Sequence, residues 1–205
     1  MITLLRTSHP LIHCFWWMFL VVSPLTAATY LESVSGDLSN EPGAPTFINL
    51  ALGNNIITGS VTSPVDTRDF FSFTLQPGQR LSGIFLLSYL DGTTGLAANT
   101  GFIHLDDGLT SILPVSGTAL LGGNTLNRTN YPLATTNVLT NLATAPLAGR
   151  GFTAPLVPGD YTINVQQTGS QLNNYSLSLV VVPEPSAASL VILAVVVGSG
   201  MRSRK

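Results

Sequence analysis

The chain has 205 residues, a formal net charge of −2, one cysteine, and 9% charged against 45% hydrophobic residues. Soluble domains carry roughly 25% charged residues, so a chain this apolar is not a disordered polyelectrolyte. Its eight Lys plus Arg cannot assemble the basic face of a nucleic-acid binder, and its length allows one domain or a small pair.

In chain order, Met1 to Arg6 carries a positive charge, Leu11 to Val22 is apolar, and small residues follow to Ala28. These are the three parts of a secretory signal peptide. Cleavage is placed after Ala28, with Thr26 and Ala28 in the small-residue positions; a cut after Ala27 is the neighbouring alternative. An uncleaved anchor fits less well, because the apolar run is shorter than the ~20 residues a membrane span needs. Removing residues 1–28 takes away Cys14, His9 and His13, so the exported chain has no thiol for disulfides or cysteine catalysis.

Residues 29–182 form the predicted exported domain, 154 residues with nine acids, four arginines and no lysine, a net charge of −5. A chain of this size can bury about 70% of its unfolded surface. Period-2 alternation predicts strands at Phe70–Leu75, with Phe71, Phe73 and Leu75 on one face, and at Asp160–Val165 and Asn174–Val181. Such runs describe antiparallel strands with one buried and one wet face. Weaker candidates are Thr46–Leu52, Ile56–Val61, Leu81–Leu90, Gly101–Leu105 and Ser111–Leu121. Pro77-Gly78, Asp91-Gly92, Asp107-Gly108 and Pro158-Gly159 supply turns between them. No stretch shows a convincing capped helical stripe. The predicted fold class is therefore all-β, an antiparallel β-sandwich.

The order Asp66-x-x-Asp69-Phe-Phe-Ser-Phe-Thr-Leu-Gln-Pro-Gly-Gln-Arg-Leu81 resembles the opening of a bacterial pre-peptidase C-terminal (PPC-like) domain. So do Phe102-Ile-His-Leu-Asp-Asp-Gly108 and the stretch from Phe152 through Pro158-Gly-Asp-Tyr161 to Leu179. The resemblance covers roughly residues 56–180 and implies a PPC-like or jelly-roll sandwich. It departs from 117 to 151, rich in Thr, Asn, Leu, Ala and Gly, which is read as an enlarged loop or an added pair of strands.

Few residues offer chemistry. His104 is the only histidine of the exported domain, and on a strand it shares a face with Asp106. One histidine and one aspartate fall short of the three or four ligands zinc needs, so His104 is expected to be a half-exposed strand residue before a turn. Asp66, Asp69 and the Asp106-Asp107-Gly108 turn could supply oxygen ligands to Ca²⁺. The resemblance supports that reading, since some relatives of the fold bind calcium; Asp-Gly is also a common hairpin turn. Gly-x-Ser-x-Gly, Ser-x-x-Lys and His-Glu-x-x-His are all absent, and no pattern places a serine beside His104 for a triad. Tyr30, Tyr89, Phe102, Tyr131 and Phe152 could stack on sugars, but are expected mostly to fill the sandwich. No catalytic, cofactor-binding or metal residue is assigned, and no enzyme activity or cofactor is expected.

The C-terminus closes with Val182-Pro183-Glu184-Pro185-Ser186, a short apolar stretch from Ala187 to Met201, and Arg202-Ser203-Arg204-Lys205. Fifteen helical residues reach about 22 Å, a short transmembrane helix, and the basic end would stay cytoplasmic. The flanking prolines are expected to keep Glu184 out of regular structure, leaving an extended, accessible stretch.

This segment resembles the PEP-CTERM sorting signal of exopolysaccharide-producing Gram-negative bacteria, here residues 183–205 with the motif Pro183, Glu184 and Pro185. The resemblance implies recognition by an exosortase, a membrane-embedded transpeptidase-like enzyme, and loss of the tail near Pro185. The sequence thus reads as a non-catalytic exported envelope or extracellular-matrix protein. It would be anchored transiently in the inner membrane, processed by an exosortase-like enzyme, and associated with surface exopolysaccharide. The alternatives are a glycan- or calcium-binding sandwich module and a tail-anchored membrane protein without C-terminal processing.

Overall fold

A computed structural model describes residues 28–91, 100–111, 119–144, 146–167 and 171–185. The elements are β1 (Thr29–Leu31), α1 (Glu32–Ser35), β2 (Thr46–Phe47), β3 (Gly53–Val61), β4 (Arg68–Leu75), β5 (Gln79–Asp91), β6 (Gly101–Asp107), β7 (Leu120–Leu126), α2 (Val138–Thr144), β8 (Gly159–Gln167) and β9 (Asn173–Pro183). The signal peptide up to residue 27 and the C-terminal helix lie outside the described residues. Among the described residues no helix is long and apolar enough to cross a membrane.

The strands form two sheets, ordered β1-β3-β9-β5 and β2-β4-β8-β6-β7. All internal pairings are antiparallel, while the short β1 and β2 join the edges in parallel. The inner faces meet in one core: Phe71 and Phe73 of β4 and Ile163 of β8 pack with Ile57 of β3, Leu86 of β5 and Leu177 of β9. The three strongly alternating runs of the sequence are β4, β8 and β9, the centre of the two sheets.

The five-stranded sheet departs from the expected wet outer face. Phe70, His104 and Asn164 are fully buried and Ser72 is nearly so, although they alternate with core residues. The segment after α1 covers them: Ser39 bridges Phe70, the Ile48 N–H donates to the Ser72 carbonyl, and the Ser111 N–H donates to the Pro42 carbonyl. Polar residues on that face are consequently buried rather than hydrated, and the Asn164 amide donates to the Asp69 carbonyl.

Two expectations of extent need correction. The run Thr46–Leu52 pairs only at Thr46 and Phe47; of the run Ser111–Leu121, Leu120 and Leu121 lie in β7 and residues 112–118 lie outside the described residues. The 117–151 stretch is neither a plain loop nor a pair of strands. It contains β7 and the helix α2, whose Val138, Leu139, Leu142 and Ala143 are buried. The α2 helix packs over β5 and β7, with Gly122 so close to the Leu142 carbonyl that a Cβ has no room.

Candidate functional site

Asp69 lies on the inner face of β4, one pleat before Phe71, and is completely buried. Its Oδ2 accepts the hydroxyl of Tyr175, 2.7 Å away on the inner face of β9. Its Oδ1 has no protein partner. Gly59 of β3, opposite Tyr175 in register, makes room for this pair: a Cβ there would sit 2.5 Å from the Tyr175 hydroxyl and 2.8 Å from Asp69 Oδ2.

The chain start brings two more carboxylates to the same place. Parallel pairing of β1 with β3 sets Glu32 beside Ser60, whose hydroxyl donates to Glu32 Oε2 at 3.2 Å. The Leu38 N–H donates to Glu32 Oε1, also at 3.2 Å. Gly36, with φ 95°, turns the chain so that Asp37 follows on the same side. One carboxylate oxygen from each of Glu32, Asp37 and Asp69 lies within 4.8 Å of the others. Glu32 and Asp37 border an open groove of about 590 Å³ lined also by Ser60, Asn174 and Tyr175, while Asp69 is buried and does not line it.

Two of the three acids, Asp69 and Glu32, hold their protons more tightly than usual. Burial, chiefly, and then the charges of Glu32, Asp66 and Asp37 push Asp69 up to about 9, against the opposing Tyr175 hydrogen bond. Burial, with Asp37 adding to it, raises Glu32 to about 7 despite the bonds from Leu38 and Ser60. Burial and then the Asp69 charge raise the Tyr175 hydroxyl well above its usual range. An ionised carboxylate here lacks compensation unless a proton or a cation supplies it. All-oxygen, anionic donors suit a hard divalent cation such as Ca²⁺, which takes six to eight oxygens. Glu32, Asp37 and Asp69 would hold it, and the partnerless Asp69 oxygen is the observation that such an ion fits.

Of the acids singled out in the sequence, only Asp69 belongs to this cluster. Asp66 bridges back to Thr62, and Asp107 pairs with Arg150 at 2.7 Å on the surface. Glu32 and Asp37 escaped the sequence reading because neither sits in a recognisable ligand spacing; only β1–β3 pairing brings them to Asp69.

His104 and Asp106 do share a face, and the structure adds Ser111. His104 Nε2 lies 3.2 Å from Ser111 Oγ and 3.2 Å from Asp106 Oδ2, while Ser111 donates to that same carboxylate oxygen at 2.5 Å. This is not a catalytic triad. A triad places the carboxylate on one imidazole nitrogen and the serine on the other. Here both crowd Nε2, and Nδ1 has no partner. His104 is buried rather than half-exposed, between the rings of Phe70 and Phe102 at 6.3 and 6.2 Å. The three residues form a polar plug under the covering segment. Among the aromatics set aside for sugar stacking, Tyr89 and Tyr131 are buried, and Tyr30 and Phe152 pack against the core.

The Pro183-Glu184-Pro185 motif is not free of the sheet. Pro183 is the last residue of β9 and pairs with Gln79. The Glu184 N–H donates to the Gly78 carbonyl at 2.7 Å. Arg80 reaches Glu184 Oε1 through both Nε and Nη2, at 2.9 Å each. Glu184 and Pro185 lie outside regular structure, as expected, while Pro183 itself ends the strand, where β3 has already stopped opposite Val181. Beyond it β9 has a neighbour on one side only, the edge-like setting in which proline's missing N–H is tolerated. At the other end, the Ala28 carbonyl accepts from the Ile56 N–H and β1 starts at Thr29.

The described residues therefore define an all-β, two-sheet sandwich with a carboxylate cluster at one mouth. No protein-family model matches the sequence, and no curated protein matches it closely. Among solved structures, the pre-peptidase C-terminal domain of a collagenase from Bacillus anthracis is similar, at 15% identity and a TM-score of 0.29, over 70% of this chain and 100% of that one.

Proposed function

We propose that the chain is a non-catalytic, exported envelope or matrix protein, sorted through Pro183-Glu184-Pro185 by an exosortase-like enzyme and associated with surface exopolysaccharide. The observation that supports this reading is that the last described strand ends at Pro183, the first residue of the motif. Among the described residues, which end at Pro185, the last paired residue is Pro183 and the last backbone bond to the sheet is that of Glu184. Removing everything beyond Pro185 therefore takes nothing from the described sheets. The burial of His104, Asp106 and Ser111 supports the non-catalytic part.

Intact mass of the protein from its native cells, fractionated into membrane and medium, tests the reading. The expected mass starts near Thr29 and ends near Pro185, with or without added glycan. A mass that keeps Arg202–Lys205, found only in membranes, overturns sorting and leaves a tail-anchored domain. A second reading, a calcium-binding sandwich, is favoured by the unpartnered Asp69 oxygen among three carboxylates. It is compatible with the first, and a melting temperature indifferent to Ca²⁺ would remove it.

A further inference from the structure

The contacts around Glu184 bear on how a processing enzyme reaches its motif. The Gln76-Pro77-Gly78-Gln79 turn, closed by the Gln79 N–H on the Gln76 carbonyl, holds the Gly78 carbonyl out to the Glu184 N–H. The next residue along, Arg80, holds the Glu184 side chain with two guanidinium nitrogens. Backbone and carboxylate of the motif's single acid are thus both occupied by the start of β5, within the same domain. An enzyme that reads this acid must offer its own cation and its own backbone partner, and the present ones have to leave first.

We propose that the Arg80 clamp is a built-in brake on sorting: processing proceeds from a minor state in which the last residues of β9 have peeled from β5. This rests on the sorting reading above. The brake is weak by construction. The Arg80 and Glu184 side chains are 34% and 33% exposed, and partly exposed ion pairs of this kind are screened and worth little. A brake of that size slows a reaction through the open state about two- to fivefold. Peeling also involves only the one-sided end of β9, beyond Val181, so it leaves the pairing with β3 intact.

The test is pulse-chase processing of the full-length protein in its native cells, comparing wild type, Arg80→Ala and Arg80→Lys, with cleavage read by mass. Arg80→Ala is expected to be processed about two- to fivefold faster, and Arg80→Lys, which keeps the charge but loses the fork, to fall between. Amide exchange at Glu184 in the mature protein should quicken in the same order. Equal or slower processing of Arg80→Ala, with wild-type processing intact, overturns the brake and spares the sorting reading. Absence of processing in all three overturns both. Should Arg80→Ala be degraded, Arg80→Lys alone decides: a rate at or below wild type overturns the brake.

Discussion

At the scale of single residues, the informative group is Asp69. A fully buried carboxylate on the core face of a strand is unfavourable unless something offsets its charge, and the fold surrounds it with more acids rather than with arginine. Glu32 at about 7 and Asp69 at about 9 are both raised above their unfolded values. Their folded state therefore binds more protons than the unfolded chain does between about pH 4 and pH 9. In chelator, the contribution of these two groups should be fully present at about pH 4 and below and should fall as the pH rises through 7 and towards 9. A bound Ca²⁺ would replace those protons, so its effect on the melting temperature should grow between pH 5 and pH 8. Asp69→Asn should abolish that increment while leaving a folded protein whose stability in chelator falls less steeply with pH. Melting curves with Ca²⁺ or EDTA at four pH values measure all of this. A flat profile in EDTA would show that the carboxylates are not held in protonated form. Asp69 was legible as a candidate from its place ahead of the aromatic strand. Its partners were not, since Glu32 and Asp37 reach it through long-range pairing that leaves no local trace.

At the scale of elements, strong alternation identified β4, β8 and β9, and the failures have local causes. The β5 strand carries two bulges, between Leu81 and Gly83 and between Leu86 and Ser88. Its buried hydrophobic side chains are consequently Leu81, Ile84, Leu86 and Tyr89, spaced three, two and three apart, and no single period fits them. The helix α2 is seven residues long, too short for a convincing stripe. Asn137 couples the two. Its Oδ1 accepts from the Leu139 N–H as an N-cap and from the Ile84 N–H past the first bulge, while its Nδ2 donates to the Ser82 carbonyl. Losing the cap costs about 1 kcal/mol, and leaving two strand groups unpaired adds about 1–2 kcal/mol. Asn137→Ala should therefore lose about 2–3 kcal/mol in urea denaturation. Asn137→Ser, which keeps the cap alone, should recover about 1 kcal/mol. A loss below about 0.5 kcal/mol for Asn137→Ala would mean that water replaces the amide and that the bulge does not depend on it.

At the scale of the whole molecule, the position of β9 ties the fold to the sorting reading. It is the last strand in sequence, yet it lies between β3 and β5 in the centre of its sheet. The strand β9 is thus structurally indispensable. Leu177, Leu179 and Val181 are each essentially fully buried, and burial of such side chains contributes about 1.5–3 kcal/mol apiece. Removing all three forfeits about 5–9 kcal/mol, comparable with the 5–15 kcal/mol total stability of a typical domain. Pro185, in contrast, is exposed and follows the last backbone bond to the sheet. A chain of residues 29–185 should melt cooperatively, and one ending at Ser176 should not fold. Ending at Val181 removes the pairing of Val182 and Pro183 and the Glu184 contacts, which should cost only about 1–2 kcal/mol. Circular dichroism melts of the three truncations decide between a sharp limit and a graded one. Were the chain ending at Ser176 to melt like the one ending at Pro185, the last strand would be dispensable. Cleavage near the motif would then hold no structural advantage over cleavage within β9.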